Sequence, residues 1–123
     1  MQIIVVDTSA IVSVFESGLN IDRELDGLIG DHDIIVPLSA IQELSVIRKK
    51  EARSAERLAS NFRTVETSRK GDDAIIEAAQ RFSAFAVMTN DMRLAKELTS
   101  KGYRVIILRG KKRLDFFRSD EAL

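Results

Sequence analysis

The chain contains no cysteine, which rules out disulfides and thiolate metal sites. A single histidine, His32, leaves no imidazole cluster for zinc. No apolar run approaches the roughly 18–20 residues that a membrane-spanning helix needs. The opening "MQIIVVDTS" has neither the basic leader nor the small-residue cleavage site of a signal peptide, and it reads as a strand from the start. There is no G-x-x-x-x-G-K-[ST] phosphate loop and no G-x-G-x-x-G turn. No repeat, low-complexity segment or linker breaks the chain. These absences fit a cytoplasmic protein without a membrane partner.

What is present is a 123-residue chain, 45% hydrophobic and 31% charged, long enough for one domain with its own core. The formal net charge of zero conceals an asymmetry. Residues 1–35 carry seven acids and one base, Arg23, whereas residues 93–118 carry nine bases and two acids, Glu97 and Asp115. A basic C-terminal segment on a neutral domain points toward a polyanion, although a solvated face has the same composition.

Short apolar runs recur as "IIVV" (3–6), "IIV" (34–36), "TVE" (64–66), "FAVM" (85–88) and "RVIIL" (104–108). Their β-branched residues and near-continuous apolarity suit strands covered on both faces, as in a parallel sheet. Helical patterns lie between them, at 9–17, 20–29, from a Ser39 N-cap with Gln42 as capping-box partner to about Lys50, 52–62, and from "GDD" onward. A last helix over 91–101 stops at Gly102, a natural left-handed terminus. Strands alternating with helices predict an α/β fold, a three-layer α/β/α sandwich around a central parallel sheet. The expected division is a domain over 1–109 and a basic C-terminal tail of the same domain over 110–123.

Ligands of open parallel sheets bind beyond the carboxyl ends of the strands. Asp7 directly follows the first strand, and Asp91 follows "FAVMTN". Glu43 lies about one turn into the helix after "IIVP". Asp72 and Asp73 open the helix after the third strand. Each has an ordinary structural use. Asp7, Asp72 and Asn90 are good N-caps, and Glu43 and Asp73 complement helix dipoles. Together, however, such carboxylates at one sheet edge repel each other unless a cation neutralises them. Oxygen donors without a histidine or cysteine cluster select Mg²⁺ or Mn²⁺. That chemistry is metal-assisted phosphodiester hydrolysis.

Rival acidic α/β sites lack their partners. A receiver domain needs an Asp after the third strand and a Lys after the fifth, where this chain has Thr67-Ser68-Arg69-Lys70 and Arg109-Gly110-Lys111. "DTS" lacks the second Asp of an aspartyl-phosphate phosphatase. Ser9 has no partner as a nucleophile, because His32 is expected to sit solvated in a polar turn.

"VVDTSAIV", "SAIQEL", "DDAIIEAA" and "VMTNDMRL", in that order from Ile3 to Leu108, resemble the PIN-domain family of ribonucleases. The resemblance implies a strand order near 3-2-1-4-5 and an acidic pocket for one or two Mg²⁺ or Mn²⁺ ions. It implies RNA, single-stranded or structured, as substrate. Carried over by position, Asp7, Glu43 and Asp91 are metal ligands, and Asp73 is a ligand or positions water. Asp72 adds a neighbouring acid, while Ser9 and Thr89 support the pocket through hydroxyl hydrogen bonds. Arg109, Lys111, Lys112 and Arg113 are candidate RNA contacts, each steepening the salt dependence of binding by about one unit of slope. Within the family, the doubled acids and basic tail look closer to small-subunit ribosomal-RNA processing nucleases. The alternatives are a VapC-type toxin held by an antitoxin and a non-catalytic RNA-binding assembly module. The resemblance also admits a homodimer. Phe82 and Phe85 read as core residues, and Phe116 and Phe117 as packing rather than base-stacking residues.

Overall fold

The computed structural model describes residues 1–46 and 50–118, residues 50–52 by their backbone alone. The described residues form six strands and six helices. In order they are β1 (Gln2–Val6), α1 (Thr8–Ser17), α2 (Ile21–Ile29), β2 (His32–Pro37), α3 (Leu38–Val46), α4 (Lys50–Ala59), β3 (Arg63–Val65), α5 (Asp72–Arg81), β4 (Ala86–Met88), α6 (Met92–Ser100), β5 (Val105–Arg109) and β6 (Arg113–Phe116). The sheet order is β3-β2-β1-β4-β5-β6. Its first five strands are parallel, and β6 returns antiparallel to β5, pairing Ile106 with Phe116 and Arg109 with Arg113.

The continuous apolar strands are buried on both faces because successive side chains point to opposite sides. Ile4 and Val6 of β1, Ile34 and Val36 of β2, and Ile106 and Leu108 of β5 pack against α1, α2, α3 and α4. Their alternates Val5, Ile35 and Ile107 pack against α5 and α6 through Ile75, Ala78, Leu94 and Leu98. The result is the expected three-layer sandwich. Small residues at Ala10, Ala40, Ala55, Ala59, Ala74, Ala78 and Ala79 are fully or almost fully buried, which brings helix backbones close to one another and to the sheet.

Several local expectations change. Ser39 does not cap α3, which begins at Leu38 directly after Pro37, so Ser39 already lies in the first turn. Asn90 and Asp72 are not caps either: Asp91 caps α6, and Gly71, at φ 62°, stands at the cap position of α5. Gly102, at φ 91°, follows the C-cap Lys101 of α6, as its left-handed role requires. The segment read as a basic tail contributes β6, whose Leu114 is buried on one side of the sheet, with Phe117 just beyond it buried on the other. The expected continuation of the third helix over 47–49 and the end of the tail, 119–123, lie outside the described residues.

His32 is not a solvated turn residue. It opens β2, and its side chain is only 5% exposed, with Nε2 2.8 Å from Asp22 Oδ1 and Nδ1 3.0 Å from the Gly30 carbonyl. Among the described residues, no helix is long and apolar enough to cross a membrane.

Candidate active site

The chain leaves β1 toward β2 on one side, while β4 on the other side of β1 leads to β5. A crevice therefore opens beyond the carboxyl ends of β1 and β4, at the point where the strand order reverses. A cleft of about 450 Å³ occupies that edge, lined among others by Asp7, Ser9, Glu43, Asp72 and Asp91.

Asp7 is the buried member of this set, 7% exposed. Its position is fixed twice by the backbone: its N–H donates to the Met88 carbonyl (3.1 Å), and its carboxylate caps α1. Oδ1 accepts from Ser9 Oγ (2.7 Å) and from the Ala10 N–H (3.0 Å), and Oδ2 accepts from Thr89 Oγ1. Burial pushes the Asp7 carboxyl above its usual pKa. The hydrogen bonds from Thr89, Ala10 and Ser9 pull the other way without cancelling it, and the neighbouring Asp91 charge adds to the rise.

Each residue of the Thr89-Asn90-Asp91 corner has a separate task. Thr89 is fully buried and spends its one hydroxyl proton on Asp7, while its oxygen accepts the Asp91 N–H (3.1 Å). Ser9 matches it, donating to Asp7 and accepting the Asn90 N–H (3.0 Å). The Asn90 side chain extends the β5 pairing, accepting the Leu108 N–H at 2.9 Å. Asp91 accepts the N–H groups of Arg93 and Leu94 on Oδ1, which leaves Oδ2 for the cleft.

Glu43 comes from α3 and is exposed at the rim. Thr8 ties it to the site: Thr8 Oγ1 lies 3.2 Å from the Ala40 carbonyl and 3.4 Å from Glu43 Oε2. Nothing in the local sequence marks Thr8 for this contact. Its function as a strut between α1 and α3 depends on a contact 35 residues away.

The α5 acid facing the cleft is Asp72, not Asp73. Asp72 and Ile75 are three residues apart, on the helix face turned toward the sheet edge, and both line the cleft. Asp73 is one step further round the helix and exposed, and it is not among the lining residues. Arg93 reaches Asp72 at 3.0 Å across the mouth.

The donor set is entirely oxygen, and its most buried acid has a raised pKa next to a second acid, the signature of charges that a hard cation would relieve. Among the described residues, no three acidic, histidine or cysteine side chains converge closely enough to form a direct three-ligand cage. The arrangement instead suits an ion such as Mg²⁺, which is held by one or two carboxylates and retains water.

The basic residues at the other end of the chain divide into two kinds. Arg109 is tied to Asp115 Oδ2 (3.2 Å) and the Phe116 carbonyl (3.0 Å), and Arg113 lies 4.0 Å from the same Asp115 oxygen. Lys111 and Lys112 are exposed in the β5–β6 turn, at the same sheet edge as the cleft but outside its lining. Phe117 is buried, and Phe82, Phe85 and Phe116 pack against the core, so none of these aromatics is an open base-stacking platform.

A family model described as PIN like domain matches residues 4–111. Ribonuclease VapC4 of Methanocaldococcus jannaschii is 29% identical over 128 aligned residues, covering 95% of this chain and 98% of the relative. Ribonuclease VapC9 of Archaeoglobus fulgidus is 31% identical over 117 residues, covering 89% and 85%. A solved structure of the PIN domain endonuclease Utp24 superposes with a TM-score of 0.81 over 94% of this chain and 91% of that one, at 19% identity, which is a likeness of fold. The strand order, the acid-lined crevice at its reversal and the match over most of the chain agree: this protein belongs to the PIN-like domain family.

Proposed function

We propose that this chain is a divalent-cation-dependent endoribonuclease. The observation that carries the reading is the meeting of Asp7, Glu43, Asp72 and Asp91, from four separate stretches of sequence, in one cleft at the sheet's switch point. Its two relatives named as ribonucleases support RNA as the substrate.

One or two of Asp7, Glu43, Asp91 and Asp72 would hold Mg²⁺ or Mn²⁺ directly and the others through water that the ion retains, with Asp72 taking the part expected of Asp73. When bound, such an ion supplies Lewis acidity and a water of lowered pKa. The chain's own residues prepare the site. Ser9 and Thr89 keep Asp7 oriented by donating to different oxygens, and Asp91 keeps one oxygen for the cleft while the other caps α6. Thr8 holds Glu43 toward the same opening. Lys111 and Lys112, exposed at this edge, would meet RNA phosphates, whereas Arg109 and Arg113 chiefly brace the hairpin.

The test is cleavage of labelled RNA by purified protein with Mn²⁺ or Mg²⁺, compared with excess chelator and with Asp7→Asn. Cleavage that needs the ion and is lost in the variant supports the reading. RNA binding without cleavage at any ion concentration would leave the non-catalytic module instead.

Two biological settings share this chemistry. The relatives named VapC support a nuclease controlled by an antitoxin, and the doubled acids and basic C-terminal segment keep ribosomal-RNA processing beside it. Growth arrest on expression, relieved by a co-expressed partner from a neighbouring reading frame, selects the first.

A further inference from the structure

Beside the acidic cleft lies a second cavity of about 170 Å³, lined by Leu38, Ser39, Gln42, Glu66, Thr67, Arg69 and Lys70. The two hollows adjoin along the chain at two places. Ser39 lines one and Ala40 the other, and Lys70 lines one where Gly71 and Asp72 line the other. Their electrostatic characters are opposite. The cleft gathers acids, and the cavity sets two cations against the single exposed carboxylate of Glu66.

The cavity has the marks of a site that expects an anion. The Ser39 hydroxyl oxygen is buried and has no hydrogen-bond partner among the described residues. Buried polar atoms are normally satisfied, so one left open next to a cavity points to something that enters it. Arg69 and Lys70 are exposed and make no ion pair among the described residues. The loop carrying them is nevertheless held in place. Glu77 accepts the N–H groups of Ser68 and Arg69 and the Ser68 hydroxyl, and Arg81 ties Glu77 to the Glu66 carbonyl. A clamped loop presenting two unpaired cations loses little entropy when it binds a phosphate.

The cavity lies beyond β2 and β3, while Lys111 and Lys112 lie beyond β5, so the acidic cleft stands between two basic positions on one edge. Four strand intervals, about 19 Å, separate β3 from β5. We propose that the cavity is a subsite for an RNA phosphate flanking the cleaved bond, held by Arg69, Lys70 and the Ser39 hydroxyl. The strand then crosses the cleft along the sheet edge, gripped on both sides. This assignment rests on the nuclease reading above, which supplies RNA as the ligand.

The experiment measures binding of a fluorescein-labelled oligouridylate by anisotropy across a salt series. It uses the full chain and the Arg69→Gln/Lys70→Gln, Ser39→Ala and Lys111→Gln/Lys112→Gln variants, with cleavage in Mn²⁺ followed in parallel. Losing two phosphate contacts lowers the salt slope by about 1.4 units for single strands in Arg69→Gln/Lys70→Gln. Ser39→Ala weakens binding severalfold with its slope unchanged. An unaltered slope in the double variant, while the lysine pair at 111 and 112 lowers it, would overturn the subsite and leave the nuclease intact. Loss of slope in a protein that never cleaves would keep the subsite and reject the nuclease.

Discussion

Thr89 donates its hydroxyl proton to Asp7 Oδ2 across 82 residues of sequence, joining the ends of two neighbouring strands at the floor of the cleft. The Thr89 hydroxyl oxygen in turn accepts the Asp91 N–H, so one buried hydroxyl sets the geometry of two acids. The contact exists because β1 and β4 pair in parallel with Val6 opposite Met88, which brings the residues following each strand together.

Thr89→Val keeps the shape and removes the donor. Partners that orient a metal ligand are worth about 10–100-fold in metal affinity or activity when lost. Cleavage by Thr89→Val is expected to fall within that range, with Mn²⁺ affinity falling in step when titrated calorimetrically. The variant should also be less stable by about 1–3 kcal/mol, because Asp7 loses a partner in a buried place. In stability, adding Asp7→Asn should then cost less than it does alone, since both changes touch the same Thr89–Asp7 hydrogen bond. Additive losses would show that Thr89 and Asp7 work separately.

The layers and the parallel strands were legible in the sequence because short, near-continuous apolar runs and intervening helical patterns are local signals. The edge where ligands bind followed from the topology rule. Helix phase at α5 was not legible to one residue. "GDD" offers two acids and two starts, and only the buried face formed by Ala74, Ile75, Ala78 and Ala79 decides that Asp72 turns toward the cleft. β6 was hidden because "RLDF" has two apolar residues and a charge-rich approach, so its strand character comes from pairing with β5. The environment of His32 depended on α2 carboxylates six and ten residues earlier, which a reading of turns does not pair with it.

Arg93 competes for Asp72. The two lie 3.0 Å apart at the mouth, with the Arg93 side chain 78% exposed. An exposed pair of this kind contributes at most about 1 kcal/mol, so Arg93→Ala should leave the unfolding midpoint nearly unchanged. Its effect belongs on the ion. Releasing Asp72 from a cation should tighten Mn²⁺ binding, by up to about fivefold if the whole pair energy is recovered. Weaker Mn²⁺ binding in the variant would mean that Arg93 orders Asp72 rather than occupying it.

The β5–β6 hairpin should be inseparable from the domain. Leu114 is 5% exposed and packs with the cluster containing Ile106 and Leu108. Leu114→Ala is expected to cost about 2–5 kcal/mol in urea unfolding. Truncation after Arg109 would uncover the β5 edge as well and should yield aggregated protein. A soluble truncated chain with an unchanged midpoint would return the segment to the status of a tail.

His32 gives the fold a stability that depends on pH. Burial of the ring lowers its pKa, but the Gly30 carbonyl and the carboxylates of Asp22 and Asp26 outweigh that effect and hold it above the usual 6.5. A group whose pKa rises on folding stabilises the protein fully at pH values below its unfolded pKa. That contribution is lost as pH climbs through the folded value. The thermal midpoint should therefore fall between about pH 6 and about pH 8, the range in which histidine titrates. His32→Gln should flatten this part of the profile, whatever its effect on absolute stability. Because Asp22 and Asp26 are 59% and 64% exposed, raised salt should shrink the slope in the parent chain. A parent profile that rises over the same range, or one that His32→Gln leaves unaltered, would place the pH dependence elsewhere in the molecule.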